Sequence, residues 1–303
     1  MTLHDLKPYL EDADSRGYAI GCFNIINLES LDGVLKAAEN LNSPVCITFH
    51  PPHFKYTDIQ AAASAVKTAA SKTQVPVILH LDNAREVSQV ADAIRYGFNS
   101  VMYIGNPEMD FTAKVEKTKN ISEIVHAAGI ILESDICLRQ KVAKSPDIDS
   151  WNTAYVESMM EFCEKTGIDI ISVDIVREIF INGRKDSTID MGLLQRIKRE
   201  TKKYLSLHGG SGLSDDILKQ AFKAGLNKMH IYGRSADTAL SKIRELVNRN
   251  DADLIEVMQG QRESFREVAQ KSISVFGSAG KASNFEIIQQ ITEAVLNKLK
   301  ENS

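Results

Sequence analysis

Along this chain, short apolar runs alternate with longer stretches whose apolar positions recur at helical spacing. Eight apolar runs stand out, at 18–23, 44–49, 75–81, 99–103, 129–134, 168–174, 204–207 and 226–232. Each is nearly continuous in its apolar content, as parallel strands covered by helices are. Between them, 30–41, 57–72, 85–96, 109–127, 150–166, 189–203 and 214–224 carry the helical period. Alternation of this kind builds a parallel sheet, and eight repeats joined by right-handed crossovers favour closure into a (β/α)8 TIM barrel over an open doubly wound sheet. Gly97, Gly129, Gly167 and Gly225 each stand just ahead of a strand, where a left-handed residue would end the preceding helix.

Beyond the eighth run, 236–248, 251–271 and 284–300 read as helices, with a glycine-containing linker at 277–283. The chain is therefore expected to be one domain, a barrel over about 16–248 with a helical extension over about 249–303. The connections 136–149 and 178–188 are long, and long βα connections belong on the ligand face of a barrel.

Composition narrows the partner. With 303 residues and 43% hydrophobic content, the chain can bury a large core. Its net charge of −4 is spread along the sequence, so no basic stripe points to nucleic acid and no polybasic segment points to a membrane. No apolar run reaches spanning length, and the N-terminal residues lack the order of a signal peptide. Cys22, Cys46, Cys137 and Cys163 are widely spaced, which suits a reduced setting. A cytoplasmic protein with a small-molecule ligand is the expectation, paired through its C-terminal helices as a homodimer or homotetramer.

In such a barrel, polar residues at strand C-termini converge on one site. That rule selects Asn24; His50 and His53; His80, Asp82 and Asn83; Glu133 and Asp135; Asp174; His208; and His230. Five of the seven histidines fall at strand ends. His50, His208 and His230, with Asp82 and Asp135, form a candidate metal or proton-transfer cluster. Glu133 and Asp135 share one face of their strand and could bind a metal or divide acid and base roles; a solvated salt-bridging pair fits them equally. His80 reads as a packed histidine behind Asp82. After the last two strands, Gly209-Gly210-Ser211-Gly212 and Tyr232-Gly233-Arg234-Ser235 offer backbone N–H groups and a guanidinium for a phosphate.

These residues resemble the class II fructose- and tagatose-bisphosphate aldolases from about residue 4 to about 247. VPVILHLDN is similar to the family's third strand, which ends H-x-D-H. SVMYIGNP resembles its S-x-M-x-D-x-S strand, and TGIDIISVDI its TGxDxLAVAIG strand. LHGGSGLSDDILKQAFKAGLNKMHI is similar to its LHGxSG…GxxKxN run, the most specific match. The resemblance implies a divalent metal, zinc, with a proton-carrying acid at Asp82 and a zinc histidine at His208. It places a further zinc histidine at Asn83 and another near Glu178 or Ile179, where this chain has no histidine. The outer acid of E-x-E-L-G falls on Asp135, with Glu133 two residues earlier. The ketose- and phosphate-binding N-x-D-T becomes His230-Ile231-Tyr232-Gly233, and a serine after strand two becomes His50.

Three readings follow. The first is a carbon–carbon lyase acting on a phosphorylated ketose through a rebuilt metal site that draws on His208, His50, His230, Asp135, Glu133 or Glu178. The second is a metal-independent lyase or isomerase of sugar phosphates using histidines or Lys228. The third is a non-catalytic protein that binds sugar phosphates.

Overall fold

The computed structural model describes residues 3–136, 148–181, 184–249 and 251–282. Eight parallel strands close a barrel: β1 (Ile20–Asn24), β2 (Val45–Phe49), β3 (Val77–Ala84), β4 (Ser100–Tyr103), β5 (Ile131–Ser134), β6 (Ile170–Val173), β9 (Tyr204–Leu207) and β10 (Leu226–Ile231). They pair in chain order, and β10 returns to β1 with Cys22 opposite His230. The expected TIM barrel is the observed fold. The remaining two strands, β7 (Val176–Ile181) and β8 (Arg184–Ile189), form an antiparallel hairpin where an irregular connection was expected.

The crossover helices are α2 (Leu28–Asn40), α3 (Ile59–Ala70), α4 (Val87–Tyr96), α5 (Phe111–Ala127), α6 (Ile148–Thr166), α7 (Met191–Thr201) and α8 (Asp215–Lys223). The chemistry of their first residues explains where several begin. Asp58, Asp110, Asp190 and Ser214 each accept the N–H three residues on, and Asn27 forms a reciprocal capping box with Ser30. At the other ends, Gly97 (φ +81°) and Gly225 (φ +105°) turn the chain back toward the sheet. That backbone region penalises any residue with a Cβ.

An additional helix, α1 (Lys7–Arg16), precedes the barrel. Its Tyr9, Leu10 and Ala13 pack with Ile20, Ile78, Ile131 and Ile170 from the starts of the strands, closing the end away from the site. After β10 come α9 (Gly233–Val247) and α10 (Leu254–Phe276). The latter packs along α2 and α9, on the outside of the barrel, as expected for the first part of the extension. Gly33 permits this close approach, because a Cβ there would stand 2.4 Å from the Arg262 carbonyl oxygen. The helix expected at 284–300 lies outside the described residues, as do Cys137 and most of the 136–149 connection. Among the described residues, no helix is long and apolar enough to cross a membrane.

Candidate active site

Strand periodicity stacks the barrel interior in layers. Above the apolar floor of Ile20, Ile78, Ile131 and Ile170, the next inward positions are polar: His80 on β3, Glu133 on β5, Ser206 on β9 and Lys228 on β10. All four are completely buried. One step further toward the strand C-termini are Asp82, His208 and His230, which line a cavity of about 210 Å³. Cys22, Asn24, Thr48, His50, Asn83, Gly209, Gly210, Tyr232, Gly233 and Arg234 line it too.

The buried layer is a connected hydrogen-bond network. Lys228 Nζ donates to Glu133 Oε2 and to His80 Nε2, the latter over 3.3 Å. His80 Nδ1 meets Ser100 Oγ at 2.7 Å. Glu133 Oε1 accepts from Ser206 Oγ at 2.5 Å and from His230 Nε2 at 3.2 Å. Burial alone would raise the Glu133 carboxyl, but Lys228 and His230 hold it well below the usual carboxylate range. Burial, reinforced by the Lys228 charge, lowers His80 and keeps it neutral.

The layer above is unsatisfied in a specific way. Asp82 Oδ1, His208 Nε2 and His230 Nδ1 are buried and have no hydrogen-bond partner. These atoms lie close together: His230 Nδ1 is 3.6 Å and His208 Nε2 3.9 Å from Asp82 Oδ1, all three lie within 4.8 Å of each other, and His208 Nε2 is also 3.6 Å from Glu133 Oε1. Three donor atoms each about 2.0–2.2 Å from a tetrahedral cation would be about 3.3–3.6 Å apart; the two separations from Asp82 Oδ1 are 3.6 and 3.9 Å. Two imidazoles and a carboxylate beside an open cavity are also a donor set that divalent metals take in catalytic sites. The residues fit a metal. An unpartnered buried polar atom is costly, so three gathered beside one cavity suit a common partner.

The two imidazoles stack, with ring centroids 3.7 Å apart and planes 20° from parallel. Burial and then the His208 charge push His230 down to about 4. Burial would also lower His208, but the Asp82 and Glu133 carboxylates outweigh it and raise this group. At the mouth, burial lowers His50 and His53, leaving both neutral near pH 7. The His53 ring lies 5.6 Å from that of His50 and 5.0 Å from that of Tyr232.

Local backbone explains how Asp82 reaches the cavity. The β3–β4 register shifts between Leu81 and Ala84, and Asn83 takes a left-handed conformation (φ +53°). A bulge of this kind re-aims a side chain, and asparagine tolerates the conformation better than most residues. At the opposite rim, Gly233 opens α9 without a side-chain cap, next to Arg234 and across from Gly209 and Gly210. A helix N-terminus gives that edge a preference for anions.

The structure thus gathers Asn24, His50, Asp82, Asn83, His208, Gly209, Gly210, His230, Tyr232, Gly233 and Arg234 into one cavity. Glu133 sits one layer below it, bonded to Lys228, Ser206 and His230. Asp135 is ion-paired with Lys114 at 2.7 Å. Gly212 borders Ser187 of β8, and Ser235 is buried within α9. Glu178 lies on β7 opposite Ser187, and the Ser211 side chain is outside the described residues. Sequence reasoning passed over Cys22, Thr48 and Ser206. Their signal was available, since each shares a strand face with a selected residue two positions on.

A closed parallel barrel with a carboxylate–imidazole centre at its strand C-termini has the layout of a barrel enzyme. The sequence model of the class II fructose-bisphosphate aldolases matches residues 4–281, and the chain belongs to that family. A fructose-bisphosphate aldolase from Thermus caldophilus is 30% identical, over 90% of this chain and 97% of that one. A sulfofructosephosphate aldolase from Alkalicoccus urumqiensis is 26% identical, over 92% of this chain and 98% of that one. The crystal structure of the YdjI aldolase from Escherichia coli K12 superposes with a TM-score of 0.80 at 29% identity, covering 93% of this chain and all of that one.

Proposed function

We propose that this chain is an aldol carbon–carbon lyase acting on a phosphorylated ketose, with a divalent cation held by Asp82 Oδ1, His208 Nε2 and His230 Nδ1. The observation that carries the reading is the convergence of those three buried, unpartnered atoms beside the cavity. A bound divalent ion would act as a Lewis acid on the ketose carbonyl, stabilising the charge left when the carbon–carbon bond breaks.

The chain's own groups supply the rest. Arg234 and the backbone of Gly210 and Gly233 border the edge suited to a phosphate. Asn24 Oδ1 and Thr48 Oγ1, also buried and unpartnered, are placed to take substrate hydroxyls. Cleavage requires a proton to leave the hydroxyl beside the breaking bond, and a proton then returns to the carbon on the carbonyl side. Two groups on the wall can carry protons: Asp82, where the family resemblance places this role, and His50, whose imidazole burial shifts toward the neutral form. Lys228 is poorly suited to a Schiff base, because Glu133 and His80 hold its ammonium in the buried layer.

The test is aldehyde release from a panel of phosphorylated ketoses, using metal-depleted protein before and after addition of Zn²⁺ or Co²⁺. Cleavage restored by metal and abolished in His230→Ala supports the reading. Cleavage that persists after chelation favours the metal-independent alternative. A ligand-dependent rise in Tm with no turnover on any ketose favours a binding protein.

A further inference from the structure

We infer that Glu133 is a positioning residue that locks the His230 imidazole in its Nε2–H tautomer, so that the Nδ1 lone pair is presented to Asp82 Oδ1 and His208 Nε2. This deepens the reading of those three residues as a cation site and rests on it.

Glu133 reaches His230 more closely than it reaches the other ligand imidazole, His208, whose Nε2 stands 3.6 Å from Oε1. Its carboxylate is fully buried, two strand positions below the strand end, and both oxygens are engaged. Oε2 takes Lys228, and Oε1 takes Ser206 and His230. A carboxylate paired with an ammonium only accepts, so the His230 nitrogen 3.2 Å away must be the donor. In a neutral imidazole the other nitrogen is then bare. It lies on the far side of the ring, 3.6 Å from Asp82 Oδ1, and is the atom left without a partner.

Further bonds fix the clamp itself. Lys228 is held from its other side by His80, whose Nε2 accepts and whose Nδ1–H therefore donates to Ser100. Every link in the path Ser100, His80, Lys228, Glu133, His230 thus has one permitted direction of donation. A carboxylate behind a ligating histidine fixes its ring and tautomer and is worth about 10–100-fold in metal affinity.

The test uses full-length protein with ¹⁵N-labelled histidine, stripped of metal, and reads tautomers from two-bond ¹H–¹⁵N correlations. The His230 signals, assigned by their loss in His230→Gln, are expected to show a protonated Nε2 and an unprotonated Nδ1. An Nδ1–H tautomer or an exchanging mixture overturns the inference. Because removing Glu133 alone strands Lys228, the variant examined is the uncharged pair Glu133→Leu with Lys228→Met, which leaves His230 Nε2 without its acceptor. It should mix the His230 tautomers and weaken Co²⁺ binding about 10–100-fold, with the d–d spectrum altered. Unchanged tautomer and Co²⁺ affinity in a folded double variant would reduce Glu133 to a packing role. If wild type shows the locked tautomer yet binds no Co²⁺, the cation reading fails while the tautomer assignment stands.

Discussion

Removing the Lys228 charge should unsettle the barrel far more than removing both partners of its ion pair. Lys228 and Glu133 are each fully buried, and water cannot replace either partner. In Lys228→Met, the Glu133 carboxylate keeps hydrogen bonds from Ser206 and His230, with His208 Nε2 3.6 Å away, but loses its ammonium partner. Breaking a buried pair in this way costs about 3–5 kcal/mol. In Lys228→Met with Glu133→Gln, both desolvated charges are gone, and the new amide can still accept from Ser206. The double variant should therefore lose about 1–2 kcal/mol, since replacing a whole buried pair is often near neutral. Glu133→Gln alone leaves a buried ammonium whose remaining acceptor is His80, and it should cost about as much as the lysine change. The double-mutant cycle thus predicts a coupling energy of about 4 kcal/mol or more. Urea unfolding of metal-free protein, followed by far-ultraviolet circular dichroism, measures it. Additive single effects, with coupling below about 0.5 kcal/mol, would refute the claim that this charge pair organises the barrel interior.

Two further outcomes probe the fold and the anion edge. Gly33→Val drives a side chain into the α10 backbone at Arg262 and should cost about 1–3 kcal/mol by overpacking; an unchanged Tm would contradict the helix contact described for Gly33. Arg234→Ala should reduce the preference for a phosphorylated ketose over its dephosphorylated analogue about tenfold or more, through loss of a charge-assisted hydrogen bond; equal loss for both substrates, measured as kcat/KM, would remove Arg234 from phosphate recognition.

Much of the fold was legible because a buried parallel strand and its covering helix leave different periods in the sequence. All eight barrel strands were found, and Gly129 and Gly167 sit at left-handed positions like the other two glycines singled out. Two elements could not be delimited, for physical reasons. The α1 segment KPYLEDADSR is largely charged and buries only Tyr9, Leu10 and Ala13, too few positions to mark a helical face. The β7–β8 hairpin contains Asn-Gly in its sequence, a strong hairpin signal, but Arg184, Lys185 and Asp186 mask the alternation expected of a strand.

For the site, the strand-end rule gathered Asp82, His208 and His230, yet it could not separate layers. Glu133 and Asp135 share a strand face and looked alike in sequence. Depth divides them: Glu133 meets Lys228 from across the barrel, whereas Asp135 emerges beside Lys114 of α5. Such partnering depends on long-range closure, with Glu133 and Lys228 separated by 95 positions, and no local pattern encodes it. The orphaned atoms were likewise invisible in sequence, because they are defined by what fails to meet them.

The proposed divalent-cation site joins Asp82, His208 and His230. Crystals grown with Zn²⁺ and measured at the zinc absorption edge test it most directly. A single strong anomalous peak is expected in the cavity, about 2.0–2.2 Å from Asp82 Oδ1, His208 Nε2 and His230 Nδ1. A peak ligated instead through Asn83 or Asp135, or an intact cavity with no anomalous density, would contradict it.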